Sequence, residues 1–223
     1  MTIEEAIKAR HSVRSYEERP IEPDKVEALQ QLIDECNKAS GLNIQLLINE
    51  PDAFGKSFLA HYGKFRGVLN YIALVGNKQM PHLEETCGYY GERLVLEAQR
   101  MGLNTCWVAL TYRKNRRVAV GEAEKLVCVI SLGYGTDAGK PHRIKSIDQV
   151  SRSLCVGAVP EWFTRGVEAA LLAPTAINQQ KFMFVLQPDG VSVESTCSWG
   201  PYSKVDLGIV RYHFDAVTEN REA

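Results

Sequence analysis

The chain has 223 residues, 45% of them hydrophobic and 24% charged, with a formal net charge of −1. That length supports one sizeable core. A balance this close to neutral, with no long basic stretch, excludes a general polyanion or nucleic-acid binder and leaves small molecules as the expected partners. No apolar run reaches the length of a membrane-spanning helix. The six cysteines, Cys36, Cys87, Cys106, Cys128, Cys155 and Cys197, form neither a Cys-x-x-Cys pair nor a metal-ligand spacing. Charged residues at the start (Glu4, Glu5, Lys8) are unlike a secretory leader, so reduced thiols and a cytoplasmic location are expected.

In chain order, Thr2 and Glu5 form a capping-box pattern, which starts a helix at Ile3 and ends it near Arg10. An extended basic segment follows, Arg10-His11-Ser12-Val13-Arg14-Ser15-Tyr16. Arg10, Ser12 and Arg14 alternate, so an extended backbone turns all three to one side while Val13 packs beneath. Two guanidinium forks and a hydroxyl on one side suit a phosphate, because each fork matches phosphate oxygens with paired charge-assisted hydrogen bonds. Asp24 caps a second helix with Val26, Leu29, Leu32, Ile33 and Cys36 inward. Gln45–Asn49 reads as a strand and residues 52–66 as a loop. Gly67–Val75, nearly all apolar, suits a strand covered on both faces.

Pro81–Met101 is the longest predicted helix, apolar around much of its surface, with Gly102 closing it. Asn104–Leu110 is a strand, Arg113–Arg117 a solvated basic turn, Ala119–Leu126 a short helix or turn, and Leu126–Leu132 a strand. A second basic cluster, Arg143 and Lys145, precedes an irregular stretch after Val150. Pro160–Leu172 is a helix burying Phe163, Val167, Ala170 and Leu171. Lys181–Leu186 is a strand, Val191–Val193 a short return strand, and Asp206–Ala216 a helix, with the last seven residues frayed. The five histidines are scattered and read as surface or packing residues. Strands alternating with helices place the chain in the α/β or α+β class.

Two segments echo each other. Ser40-Gly41-Leu42-Asn43-Ile44-Gln45 and Thr175-Ala176-Ile177-Asn178-Gln179-Gln180 each follow a helix and precede a strand that ends before Pro-Asp. The second copy, Ala173-Pro174-Thr175-Ala176-Ile177-Asn178-Gln179-Gln180, is the fuller one. An Asn in such a segment can both donate and accept, which matches a ligand edge of alternating acceptors and donors.

Taken together, the N-terminal segment Arg10–Tyr16 and the segment Pro174–Gln180 resemble signatures of the FMN-dependent nitroreductase family. Gly102-Leu103-Asn104-Thr105-Cys106-Trp107 is similar to that family's turn after its long helix. Leu132-Gly133-Tyr134-Gly135, followed by Arg143 and Lys145, is similar to its Gly-Tyr-Pro turn and phosphate-closing cations. His11 stands where the family has a second Arg, and Gly135 where it has Pro. The resemblance implies an α+β fold with a central, mostly antiparallel sheet flanked by helices. It implies a single domain over 1–223, with two pseudo-equivalent halves, about 1–150 and 151–223, if the motif is duplicated. It implies FMN as cofactor, held by Arg10, His11, Ser12, Arg14, Arg143 and Lys145 at the phosphate end. Pro174, Thr175, Asn178 (or Asn43 from the first copy), Gln180, Trp107, Ala109 and Leu110 would lie at the flavin.

NAD(P)H would be the reductant and a nitroaromatic or quinone-like molecule the acceptor, in ping-pong order. The chain would form a homodimer, or a monomer if duplicated. No side chain need act as acid or base, since the flavin carries the redox chemistry. No Gly-x-Gly-x-x-Gly follows a strand, so a separate nicotinamide domain is not expected. Two other readings keep the cofactor: a flavin-storing protein without turnover, and oxygen-dependent chemistry on the flavin.

Overall fold

The structure, a computed structural model, describes residues 1–51, 65–109 and 117–218. The elements are α1 (Ile3–Ala9), α2 (Pro23–Ser40), β1 (Gln45–Leu47), β2 (Asn70–Asn77), α3 (Leu83–Arg100), β3 (Asn104–Val108) and β4 (Glu124–Gly133), followed by β5 (Ser151–Ser153), α4 (Glu161–Leu171), β6 (Phe182–Leu186), β7 (Val193–Cys197) and α5 (Ser203–Thr218). The class is α+β, with an antiparallel sheet and helices, as the resemblance implies. The chain divides into two compact units. One comprises residues 9–83 and 93–141; the other comprises residues 1–8, 84–92 and 142–223.

The first unit is built on a four-stranded antiparallel sheet ordered β1-β2-β4-β3. β2 lies inside it, and Asn70 to Gly76 are all buried, which is why the strand is apolar from Tyr71 to Val75 rather than alternating. Tyr71, Ala73 and Val75 on one face of β2 pack with Val13, Tyr16, Val108 and Val129. The segment after α1 is threaded into this core as extended chain. Ser12 bridges Thr105, Ser15 bridges Arg66, and Tyr16 bridges Gly135. The N–H of Val13 donates to Thr105 O at 3.0 Å, and that of Tyr16 to Arg66 O at 2.9 Å. The Tyr16 hydroxyl donates to Val13 O at 2.7 Å and meets Ser131 Oγ at 2.7 Å; burial raises its pKa above the usual phenol value.

The second unit carries a three-stranded sheet, β5-β6-β7, with β5 parallel and β7 antiparallel to β6. Its core is aromatic: Phe184 stacks on Phe214 with centroids 4.7 Å apart, and Phe163 meets Phe214 edge-on at 6.0 Å. Within this unit Gly88 of α3 and Gly208 of α5 let the two helices meet backbone to backbone. A Cβ built on Gly208 would lie 1.9 Å from Glu85 O, and one on Gly88 2.0 Å from Val205 O. Replacing Gly208 with Ala must push the helices apart, so we expect a stability loss of about 1–3 kcal/mol, read from the urea midpoint.

Several boundaries differ from the sequence expectations, each for a local reason. The N-cap position of α2 is Glu22 rather than Asp24, without a side-chain cap, and Pro23 occupies the first helical position, where its missing N–H does no harm. β4 begins at Glu124, so residues 119–123 form a turn, held by Gly121 N–H on Glu124 Oε2 at 2.8 Å. The stretch after Val150 contains β5, whose Ser-Arg-Ser sequence has no apolar pattern and is a strand only because β6 pairs with it. The return strand is Val193–Cys197 rather than Val191–Val193. The Asp189 carboxylate accepts the N–H groups of Val191 and Ser192 at 2.9 and 2.8 Å, which keeps both in the turn. α5 runs on to Thr218, with Val217 and Thr218 buried, so fraying does not begin there. Leu110 and most of the Arg113–Arg117 turn lie outside the described residues.

Candidate functional site

Arg10 opens the segment after α1 and is only 3% exposed, whereas Arg14 is exposed and Ser12 half-buried. The expected alternation holds, with Val13 beneath at 1% exposed. Arg14, Ser12 and Arg10 all act on the Cys106 thiol. Burial raises its pKa, while the charge of Arg14, the hydroxyl of Ser12 and the charge of Arg10 each pull it down. Two cations and a hydroxyl alternating along one extended segment are what a phosphate would require. The backbone there is fixed before any ligand arrives, since Arg14 O accepts from Arg66 N–H at 2.9 Å and Ser15 O from Thr136 N–H at 2.9 Å.

The turn after β4 closes over the same segment. Gly139 has φ +73°, and a Cβ there would lie 2.7 Å from His11 Cβ; only glycine allows both the conformation and the approach. His11 is therefore half-buried under this turn. Trp107 and Ala109 are half-buried. Trp107 falls between Cys106 and Val108 on β3, so it faces the opposite side of the sheet from the Cys106 cluster. Asn43, the Asn of the first motif copy, donates through Nδ2 to Glu124 at 3.2 Å and ties the start of β1 to β4.

In the other unit, the remaining predicted residues converge on Gln180, which is 3% exposed. Its Nε2 donates to Arg143 O at 2.8 Å and to Asn178 Oδ1 at 2.8 Å. Its Oε1 accepts Lys145 N–H at 2.9 Å, its N–H donates to Thr175 Oγ1 at 3.1 Å, and its carbonyl accepts Lys145 Nζ at 2.7 Å. Asn178 Nδ2 also donates to Arg143 O, at 2.9 Å. Thus Arg143, Lys145, Thr175, Asn178 and Gln180 form one network, with Pro174 half-buried at its start. Arg143 takes part through its carbonyl, and its side chain lies at an exposed position.

This loop is strained. Ile177, Asn178 and Gln180 have φ of +49°, +56° and +44°. Such conformations cost about 1–3 kcal/mol each and persist only where surrounding bonds impose them. For a β-branched residue such as Ile177 the conformation is a true outlier. Ile177 is nonetheless 80% exposed, so packing does not explain it.

Two buried groups in this unit had no sequence signal. Asp206, 5% exposed on α5, accepts Ala176 N–H on Oδ1 at 2.9 Å and Gln179 Nε2 on Oδ2 at 2.7 Å. Burial raises its pKa to about 6 against the effect of those bonds. His213 and Glu92, both 0% exposed, meet at 2.9 Å, and His213 Nδ1 lies 2.9 Å from Ala169 O. They are far apart in sequence, and each sits in a helix that reads as ordinary packing. Among the described residues no group of His, Cys, Asp and Glu is arranged to hold a metal ion. No helix there is long and apolar enough to cross a membrane.

No curated protein matches the sequence. Among solved structures, a Thermotoga maritima protein described as a "putative nitroreductase" is similar over 97% of this chain and 83% of its own, with TM-score 0.66 and 22% identity. A Desulfovibrio desulfuricans protein of the same description, solved in complex with FMN, is similar over 66% of this chain and 94% of its own, with TM-score 0.51 and 14% identity. At these identities the likenesses speak for the fold. The family model described as "Putative TM nitroreductase" matches residues 2–218, nearly the whole chain, and on that match the chain belongs to this nitroreductase family.

Proposed function

We propose that the protein is an FMN-dependent oxidoreductase, in which NAD(P)H and a nitroaromatic or quinone-like acceptor use one flavin in turn. The observation that carries the reading is the alternation of Arg10, Ser12 and Arg14 along an extended segment threaded into the sheet, with Val13 buried beneath them. It fits the doubly charged phosphate of FMN, a cofactor seen in the Desulfovibrio desulfuricans relative. Arg10 and Arg14 would hold the phosphate by charge and paired hydrogen bonds, Ser12 by its hydroxyl, and His11 from the flank. Trp107, Ala109 and Leu110 are proposed as flavin neighbours on the strength of the resemblance.

For the other unit the proposal stands on its own geometry. Pro174, Thr175, Asn178 and Gln180 form a stiff loop tied to Arg143 and Lys145 through Gln180, and the exposed Asn178 keeps an amide hydrogen for a flavin's polar edge, while Arg143 and Lys145 are proposed at the phosphate on the strength of the resemblance. When bound, FMN supplies the electron chemistry, and the chain binds and orients it. Six free thiols accord with a cytoplasmic setting. Size-exclusion chromatography distinguishes the proposed homodimer from a monomer with a duplicated motif.

The test is anaerobic. The purified protein should carry or take up FMN, and NADH or NADPH should bleach the flavin absorbance, which a quinone then restores. A protein that takes up no FMN would refute the reading. FMN that neither nucleotide bleaches would point to storage instead.

A further inference from the structure

We propose that Asp206 is a positioning residue for the loop Thr175–Gln180, holding it in the shape in which it meets the flavin; this rests on the function proposed above. Its carboxyl reaches from α5 to both flanks of the strained pair Ile177–Asn178. Oδ1 accepts the N–H of Ala176 at 2.9 Å and Oδ2 accepts Nε2 of Gln179 at 2.7 Å. Gln179 Nε2 also donates to Pro201 O at 2.8 Å, so both its hydrogens are committed. Thr175 stands at the N-cap of the 3₁₀ turn Ala176–Asn178 but makes no side-chain cap there; its hydroxyl accepts Gln180 N–H instead. Asp206 therefore supplies, from a distant helix, the cap that the turn lacks.

This arrangement works against stability. The carboxyl is buried, and among the described residues no cation offsets it. Lys145 donates to Gln180 O, Lys181 to Trp199 O and Arg165 to Val217 O. Arg211 is paired with Glu85, while Lys204, Glu168 and Glu194 are exposed. Gln179 Oε1 is buried and has no hydrogen-bond partner. A buried carboxyl with no offsetting cation, aimed at one strained loop, has the character of a functional position.

The sign of the pH dependence follows. The folded-state pKa of Asp206, about 6, lies above the ordinary Asp value, so the folded chain binds the extra proton. The resulting stability is fully present below about pH 4 and is lost as pH rises through about 6.

The experiment compares wild type with Asp206→Asn, measuring urea midpoints at pH 5 and pH 8 and FMN dissociation constants at pH 8. Asn keeps an acceptor for Ala176 but presents N–H to Gln179 Nε2. We expect the variant to lose the decline in stability between pH 5 and pH 8 and to bind FMN about tenfold more weakly. A variant that keeps the decline between pH 5 and pH 8, or one with unchanged FMN affinity, would overturn the proposal. Wild type that takes up no FMN would refute the proposed function instead, and the two urea series would still report whether Asp206 is buried as an acid.

Discussion

Replacing Glu92 with Leu should lower stability by about 3–5 kcal/mol, a large share of the roughly 5–15 kcal/mol that holds a typical domain together. His213 sits on α5 with Nδ1 2.9 Å from Ala169 O and Nε2 2.9 Å from Glu92 Oε1, all of it buried. A carbonyl only accepts, so Nδ1 carries a hydrogen. Nε2 then either donates to a carboxylate or accepts from a carboxylic acid, and in both cases one proton is shared between the two side chains. The pair thereby joins the α3, α4 and α5 segments of one unit. Removing the carboxyl alone strands Nε2 in an apolar setting. Glu92→Gln is the informative contrast: its amide N–H can donate to the neutral ring, so its loss should stay within about 1 kcal/mol. Replacing both residues with Leu should recover much of the single-variant loss, because the stranded ring nitrogen is then gone. Guanidinium unfolding curves check all three. A Glu92→Leu protein as stable as wild type would show that the pair is not what joins the helices.

The second large effect is expected on cofactor binding. Arg10→Met and Arg14→Met each remove a charged hydrogen-bonding group, worth roughly 1.5–3 kcal/mol. Together they should weaken FMN binding on the order of 10²- to 10⁴-fold. The two positions should behave differently in stability. Arg14 is exposed, and its replacement should leave the unfolding midpoint nearly unchanged. Arg10 is 3% exposed, so Met, which fills a similar volume, is a better probe than Ala. Titration of apo-protein with FMN, beside unfolding curves for each variant, separates lost affinity from lost fold. Wild-type affinity in the double variant would remove the phosphate site from this segment.

Much of this architecture was legible because burial leaves a local periodicity. The inward residues of α4, the continuous apolar run of β2, and the position of Val13 beneath alternating polar neighbours all follow from spacing. The Thr2–Glu5 capping box is present, with Thr2 N–H on Glu5 Oε2 at 2.8 Å and Glu5 N–H on Thr2 Oγ1 at 3.2 Å. β5 was illegible because its three polar residues become a strand only through pairing with β6.

At the candidate site the division is sharper. The sequence alone determined which residue types stand together: two Arg and a Ser in alternation, and an Asn and a Gln two positions apart after Pro-Thr. Short-range order suffices for that, because the backbone repeat decides which neighbours share a side. Only the tertiary structure decided that Arg10 is buried and Arg14 exposed, that Lys145 Nζ donates to a backbone carbonyl, and that Asp206 and His213 are polar groups inside the core. Those outcomes depend on partners thirty to more than a hundred residues away. The cost of burying a charge is set by what surrounds it in space, which a window of neighbouring residues does not contain.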